Sequence, residues 1–324
     1  MPHIECHSEG STWKKPKGRS HRKRSSELCQ ETLVFNVYDT IRSAPDFYRQ
    51  LRCGDSLVTL FHCSVQNKQE DVWSHCNYIV YAVDGSKVWH TAHGSYHLQT
   101  GDCLFVRKGA CIVEHTSDEA PCFMFFFIPD EFIADVLKEK KSTTMSKSAK
   151  TVDLILPVEN NAIVQAFFHS MMPYFGIQRT PDEALLSLKF RELILTLADS
   201  DGNDDLRGYF ASLLQQPRTI TLQEVMEANF CFNLKLDEFA RLTARSLSAF
   251  KRDFENLYHT TPGKWLLEKR LNHSLHLLTN VKRTVREAAM ECGFENPSHF
   301  SRAFKQHFGT PPTAVKVTSD QLSF

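Results

Sequence analysis

Near the C-terminal end of the chain, two stretches carry large apolar residues at every fourth position. In Asn296–Phe308 they are Phe300, Phe304 and Phe308. That spacing lines one face of a helix. Asn296 is a good N-cap, Pro297 suits the first helical position, and Gly309 with Pro311 and Pro312 closes the segment. Ser298, Ser301, Arg302 and Lys305 fall on or near the opposite face. In the other stretch Ser246 caps a run in which Phe250, Phe254 and Tyr258 repeat the spacing, Lys251 and Arg252 point outward, and Thr261-Pro262-Gly263 is the stop.

A shorter helix precedes each of these. Thr284 to Glu287 is a capping box opening a helix that ends near Cys292-Gly293. Leu236–Leu242 is a short apolar-periodic helix followed by a turn at Thr243 to Arg245. Lys235 stands at its N-cap, where Ser or Thr is expected, so this helix frays or is capped from elsewhere. Helix, tight turn, helix is the helix-turn-helix pattern, whose second helix can read a DNA groove. Between the two units lies an amphipathic helix, Lys264 to Leu278, with Trp265, Leu266, Leu271, Leu275 and Leu278 inward. About 15 residues of helix span roughly 22 Å. With its turns, that sets two reading helices near one duplex turn, about 34 Å, apart.

Upstream the pattern is that of strands: Ser56 to Cys63, Tyr78 to Val83, Ser86 to His90, Cys103 to Val106 and Cys122 to Ile128. Val83-Asp84-Gly85, Thr100-Gly101-Asp102 and Lys108-Gly109 supply the turns. Many short strands predict a small barrel or jelly roll. Residues 131–150 read as a charged loop. Glu159 to Phe175 and Pro181 to Asp199 read as apolar-faced helices, Ser200 to Asp205 as a polar linker, and Leu206 to Gln216 and Leu222 to Phe230 as short joining helices. The expected division is a disordered basic tail (1–27), a regulatory domain (28–132), a loop and helical segment (133–199), a linker (200–218), a DNA-binding domain (219–316) and a short tail (317–324). The fold class is α+β multidomain, a β-barrel followed by an all-α domain with two helix-turn-helix motifs.

The residues at 293–312, GFENPSHFSRAFKQHFGTPP, and at 245–271, RSLSAFKRDFENLYHTTPGKWLLEKRL, resemble the DNA-binding domain of AraC/XylS transcription regulators. The likeness covers roughly 219–316 and is strongest to the ExsA-type branch, activators of type III secretion genes. It implies an N-terminal cupin-like regulatory domain, with self-association through the helix at 181–199, where Leu186, Phe190, Leu193 and Leu197 are the candidates. It also implies a homodimer on promoter DNA, a contact with RNA polymerase, and control by an anti-activator protein. A small-molecule-responsive regulator is the alternative. A cupin enzyme is a distant one.

For base reading the candidates are Ser248, Lys251 and Arg252 in one helix and Ser298, His299, Ser301 and Arg302 in the other. Arg252 leads, because a guanidinium can bond guanine O6 and N7 together. Arg245, Lys264 and Lys305 are phosphate candidates. The phenylalanines are expected in the core.

Charge supports the division modestly. Residues 216–324 hold 15 Lys+Arg against 11 Asp+Glu, whereas 28–215 hold 16 against 24. The ten cysteines form no Cys-x-x-Cys pair and read as reduced thiols of a cytoplasmic protein. There is no apolar run of membrane-spanning length and no secretory h-region, so no membrane association is expected. Gly-x-Ser-x-Gly, Walker and His-Glu-x-x-His motifs are missing, so no enzyme is expected. Only His75 and His115 stand where a cupin would hold a metal, too few for a site, so neither metal nor cofactor is expected.

Overall fold

In the structure, a computed structural model, the described residues are 35–45, 47–62, 68–91, 94–116, 121–140, 153–176, 180–214 and 222–315. The expected tails at 1–27 and 317–324 lie outside them.

The N-terminal part comprises β1 (Phe35–Asn36), α1 (Val37–Ser43), β2 (Gln50–Cys53), β3 (Ser56–His62), β4 (Gln69–Ser74), β5 (Asn77–Asp84), β6 (Ser86–His90), β7 (Ser95–Gln99), β8 (Cys103–Val106), β9 (Gly109–His115) and β10 (Cys122–Ile128). It continues with α2 (Asp130–Lys138), β11 (Ile155–Val158), α3 (Ala162–Gly176), α4 (Glu183–Asp199) and α5 (Asp204–Leu214). The strands form a five-stranded sheet, β1-β4-β9-β6-β7, and a six-stranded sheet, β11-β8-β5-β10-β3-β2. Among the described residues no ladder joins one sheet to the other, so of the small barrel or jelly roll expected, the structure has the two-sheet form, an open sandwich.

Strand β10 explains its own sequence. Phe123, Phe125 and Phe127 face the sandwich interior with Leu104, Trp89 and Val113. Met124, Phe126 and Ile128 face the helices, in one core with Phe168, Phe190 and Phe210. A strand covered on both faces needs apolar residues at every position, which is why the run does not alternate.

That helical layer corrects three expectations. The segment expected to be a loop from 131 begins as α2, whose Ile133, Val136 and Leu137 are buried in the layer. The short helix expected within the linker is there as α5, but it is not a free joining segment: it buries Leu206, Tyr209 and Phe210 in the same core. Tyr209 also donates to Asp130 Oδ1 at 2.7 Å, and Lys108 Nζ donates to Oδ2 at 2.5 Å. Burial alone would raise the Asp130 pKa, but Lys108, Tyr209 and Asn77 outweigh it and hold the carboxyl below its usual range. The N-terminal domain therefore runs through Leu214. The third correction concerns self-association: Leu186, Phe190, Leu193 and Leu197 are each 0–1 % exposed, enclosed by their own chain. Side chains whose area is already covered cannot line a dimer interface. The outward apolar residues of α4 are Leu185 and Leu188, 40 % and 62 % exposed.

The C-terminal part is helical: α6 (Leu222–Asn229), α7 (Leu236–Leu242), α8 (Leu247–Tyr258), α9 (Pro262–Thr279), α10 (Val285–Glu291) and α11 (Pro297–Phe308). It has two small cores. One gathers Phe239, Phe250, Phe254 and Leu266; the other gathers Leu271, Leu278, Ala288, Phe300 and Phe304. Helix α9 contributes to both. Each fully buried phenylalanine contributes about 1.5–3 kcal/mol of transfer free energy.

Candidate DNA-reading surface

The two helix-turn-helix units repeat one design with a numbering offset of fifty in their second helices. Phe250 and Phe254 correspond to Phe300 and Phe304, all fully buried. Ser246 Oγ accepts the Ala249 N–H at 3.3 Å, while Asn296 Oδ1 accepts those of Ser298 and His299 at 2.8 and 3.4 Å. Both helices end on a left-handed residue, His259 at φ 53° and Gly309 at φ 77°. The turns between first and second helices also carry one each, Ala244 at φ 53° and Gly293 at φ 74°.

The first helices are capped differently. In α10, Glu287 N donates to Thr284 Oγ1 at 3.2 Å and Thr284 N to Glu287 Oε2 at 2.8 Å, a complete capping box. In α7, Lys235 N donates to Glu238 Oε2 at 2.6 Å. A lysine has no acceptor to return the bond, so α7 is capped by Glu238 alone.

Packing the phenylalanines inward turns a defined set of side chains outward. Ser248, Lys251 and Arg252 on α8, and Ser298, His299, Arg302 and Lys305 on α11, are exposed, as is Lys264 at the start of α9. Arg252 and Arg302 hold equivalent places on their helices. Arg252 is 71 % exposed and, among the described residues, bonds only its neighbour Asp253. Ser301 is half-buried, and its hydroxyl donates to the Pro297 carbonyl at 2.9 Å. Arg245 departs from the expected phosphate role. Its Nε donates to Asp253 Oδ2 at 3.2 Å and its Nη1 to the Thr243 carbonyl at 2.9 Å, so it ties the turn to α8. Hydrogen bonds from Arg245 and Arg252 hold the Asp253 carboxyl below its usual pKa.

The first unit rests against the five-stranded sheet. Ala110 N donates to Asn229 Oδ1 at 2.8 Å, and Trp73 and Ala110 share a core with Val225 and Met226. From α7, Arg241 lies over the Trp73 ring at 5.2 Å and bonds Asp39 at 2.6 Å and His75 Nδ1 at 3.3 Å. Asn36 Nδ2 also approaches His75 Nδ1, at 3.1 Å. Both partners are donors, so Nδ1 must accept and the imidazole is neutral. Burial, then Arg241, depresses its pKa. His115 sits elsewhere, buried, with Nε2 3.7 Å from Glu70 Oε2 and no hydrogen-bond partner for either ring nitrogen among the described residues. Among the described residues no cluster of three or more His, Cys, Asp or Glu could hold a metal, and no helix is long and apolar enough to cross a membrane.

Arg241, Asn229 and the half-buried Arg270 escaped sequence reasoning. Arg270 had a signal, because it lies four residues after Leu266, on the buried stripe of α9.

Two family models match the chain. One, the ExsA N-terminal regulatory domain, matches residues 77–209, from β5 into α5. The other, a helix-turn-helix domain, matches residues 239–317, both units. The chain belongs to the AraC/XylS family, in its ExsA-type branch. It is a DNA-binding transcriptional activator. Among its relatives is the virulence regulon transcriptional activator VirF of Yersinia enterocolitica, 27 % identical over 239 residues that cover 73 % of this chain and 87 % of VirF. The HTH-type transcriptional regulator ExsA of Pseudomonas aeruginosa is 23 % identical over 257 residues, 79 % of this chain and 88 % of ExsA. Of solved structures, ToxT from Vibrio cholerae aligns with 13 % identity and a TM-score of 0.35, over 83 % of this chain and 98 % of ToxT.

Proposed function

We propose that the chain activates type III secretion or virulence genes by reading a bipartite promoter site with α8 and α11 and engaging RNA polymerase there. The observation that carries the proposal is the pairing of Arg252 with Arg302. Two exposed guanidiniums occupy equivalent positions on two helices anchored by equivalent phenylalanines. Ser248, Lys251, Ser298, His299 and Ser301 complete the base-reading set, and Lys264 and Lys305 neutralise phosphate. Arg245 acts as a staple of the first unit. The protein works in the cytoplasm without catalysis, as a homodimer on DNA whose α4 contact uses the outward Leu185 and Leu188. Its N-terminal sandwich, of cupin-like descent, receives a protein anti-activator. Genome-wide mapping of binding sites is the test. Enrichment of paired half-sites about one helical turn apart upstream of such genes is expected; binding without sequence preference would contradict it.

A small-molecule regulator is the second reading, favoured by a cleft of about 570 Å³ between the sandwich and α7, bordered by Tyr38, Lys108, Asp130 and Arg241. Against an anionic ligand stands the pairing of its cations: Arg42 with Asp55, Lys108 with Asp130, Arg241 with Asp39 and Arg245 with Asp253. A metabolite that co-purifies in equal amount would support this reading; a small protein that does so would support the first.

A further inference from the structure

We propose that Arg270 is a positioning residue that holds the two helix-turn-helix units in one rotational phase, so that α8 and α11 engage their half-sites together. The proposal rests on the DNA-reading function above and adds what makes the two readings a single event.

Each unit has its own core, and α9 is the element common to both. A shared helix fixes the separation of the units, but it leaves them to rock about its ends unless something else joins them. Arg270, midway along α9, supplies that join. Its Nε donates to the Phe230 carbonyl at 2.6 Å and its Nη2 to the Phe232 carbonyl at 2.6 Å, both in the loop between α6 and α7 that leads into the first unit. Its Nη1 donates to the Gly293 carbonyl at 3.3 Å, in the turn of the second unit. One planar fork therefore bonds the backbones of both units. A lysine, with a single ammonium, could not span the same three acceptors.

The two loops also touch directly. A Cβ on Gly293 would stand 2.4 Å from the Cys231 carbonyl oxygen, and the left-handed backbone at φ 74° is itself unfavourable to other residues. Asn233 Nδ2 donates to Glu295 Oε1 across the same junction. A half-buried guanidinium, a glycine without room for a methyl group and a side-chain hydrogen bond thus meet where the edge of the first core, at Phe230 and Phe232, adjoins the edge of the second, at Cys292 and Phe294. Arg270 bonds loop carbonyls and none of the exposed residues of α8 and α11, so its effect on DNA runs through geometry. Two linked modules gain from each other only when both can engage at once, and that gain disappears when the geometry relaxes.

The experiment uses the full chain and the duplex it enriches from a randomised library. Three derivatives of that duplex carry a scrambled first half, a scrambled second half, or an insertion of about 5 bp, half a turn, between the halves. For Arg270→Gln, the affinity for the intact duplex should fall about a hundred-fold, while both half-scrambled duplexes bind as they do to the parent chain. The preference for the original spacing over the insertion should shrink, and Arg270→Lys should fall between. A role confined to fold stability would weaken all duplexes alike and leave the spacing preference unchanged. That result, or a folded Arg270→Gln that binds normally, overturns the proposal. If Arg270→Gln does not fold, Arg270→Lys and Gly293→Ala decide, the latter by forcing the loops apart while keeping the guanidinium; wild-type spacing preference in both overturns it. A parent chain that enriches no sequence removes the DNA-reading function and the proposal together, whereas enrichment with unaltered Arg270 variants removes the proposal alone.

Discussion

Arg241 Nη2 lies 2.6 Å from Asp39 Oδ2, an ion pair that spans 202 residues and joins the first helix of the first DNA-reading unit to the N-terminal domain. Both side chains are 42 % exposed, so the pair is screened and contributes no more than about 1 kcal/mol. Stacking of the guanidinium on Trp73 adds about 0.5–1 kcal/mol. A contact of this size biases the arrangement of the domains without fixing it.

This contact should respond to pH through His75. Its folded pKa lies below 6.5, because burial and Arg241 disfavour the imidazolium. Asp39 opposes that effect, and Lys108 and Arg42 add to it. Below about 6.5 the unfolded chain binds a proton that the folded chain refuses, so stability is full above that pH and declines as pH falls toward the folded value. Melting temperatures from pH 7.5 to 5.5 should fall more steeply for the parent chain than for His75→Gln. Parallel curves would refute the neutral, accepting His75.

Among the described residues three that are not glycine are left-handed, Ala244, His259 and Lys282, and the first two mark sites of stored strain in the first unit. Ala244 and His259 both sit at φ 53°, where the second unit uses Gly293 and Gly309. Relieving a left-handed conformation is worth roughly 1–2 kcal/mol, and the added freedom of glycine when unfolded takes back about 0.4–1 kcal/mol. Ala244→Gly and His259→Gly should each be neutral to stabilising by about 1 kcal/mol in urea denaturation. A loss of stability would mean that the side chains matter more than the backbone.

Helix α4 separates core from contact. Leu186→Ala should destabilise the N-terminal domain by about 2–5 kcal/mol, as for a buried leucine. Leu188→Asp should change stability by less than about 0.5 kcal/mol yet weaken self-association in sedimentation. Intact association in Leu188→Asp with a stable fold would exclude this face.

What the sequence made legible follows from how locally each feature is encoded. The helices bearing Phe300, Phe304 and Phe250, Phe254 were readable to within a residue, because period, cap and stop agree within twelve positions. Strand β10 was legible as an apolar run, but its two-sided burial was not, since that depends on helices up to Phe210. Helix α2 was hidden by the Lys- and Ser-rich tract that follows it. Helix α5 was legible as a helix, Leu206 to Gln216, but the polar Ser200 to Asp205 made it look like part of a linker; Ser200 to Asn203 is a tight turn, and α5 packs in the N-terminal core. The apolar stripe of α4 was seen, but a stripe does not name what covers it. Arg241 looks like a solvated charge in one dimension, and Arg270 shows only that it lies on the apolar stripe of α9; only the fold brings Trp73 to the one and the Gly293 carbonyl to the other.

The central claim is that Arg252 and Arg302 read bases while Lys264 holds phosphate, and a salt series of binding isotherms on the selected duplex and a scrambled one tests it most directly. Arg252→Ala and Arg302→Ala should each lose about 1–3 kcal/mol on the selected duplex and less on the scrambled one. Lys264→Ala should lose equally on both, with a shallower salt dependence. Phe300→Ala, fully buried, serves as the folding control and should lose about 3–5 kcal/mol of stability. If both arginine variants stay folded and bind the selected duplex as the parent chain does, α8 and α11 do not face DNA and the account fails.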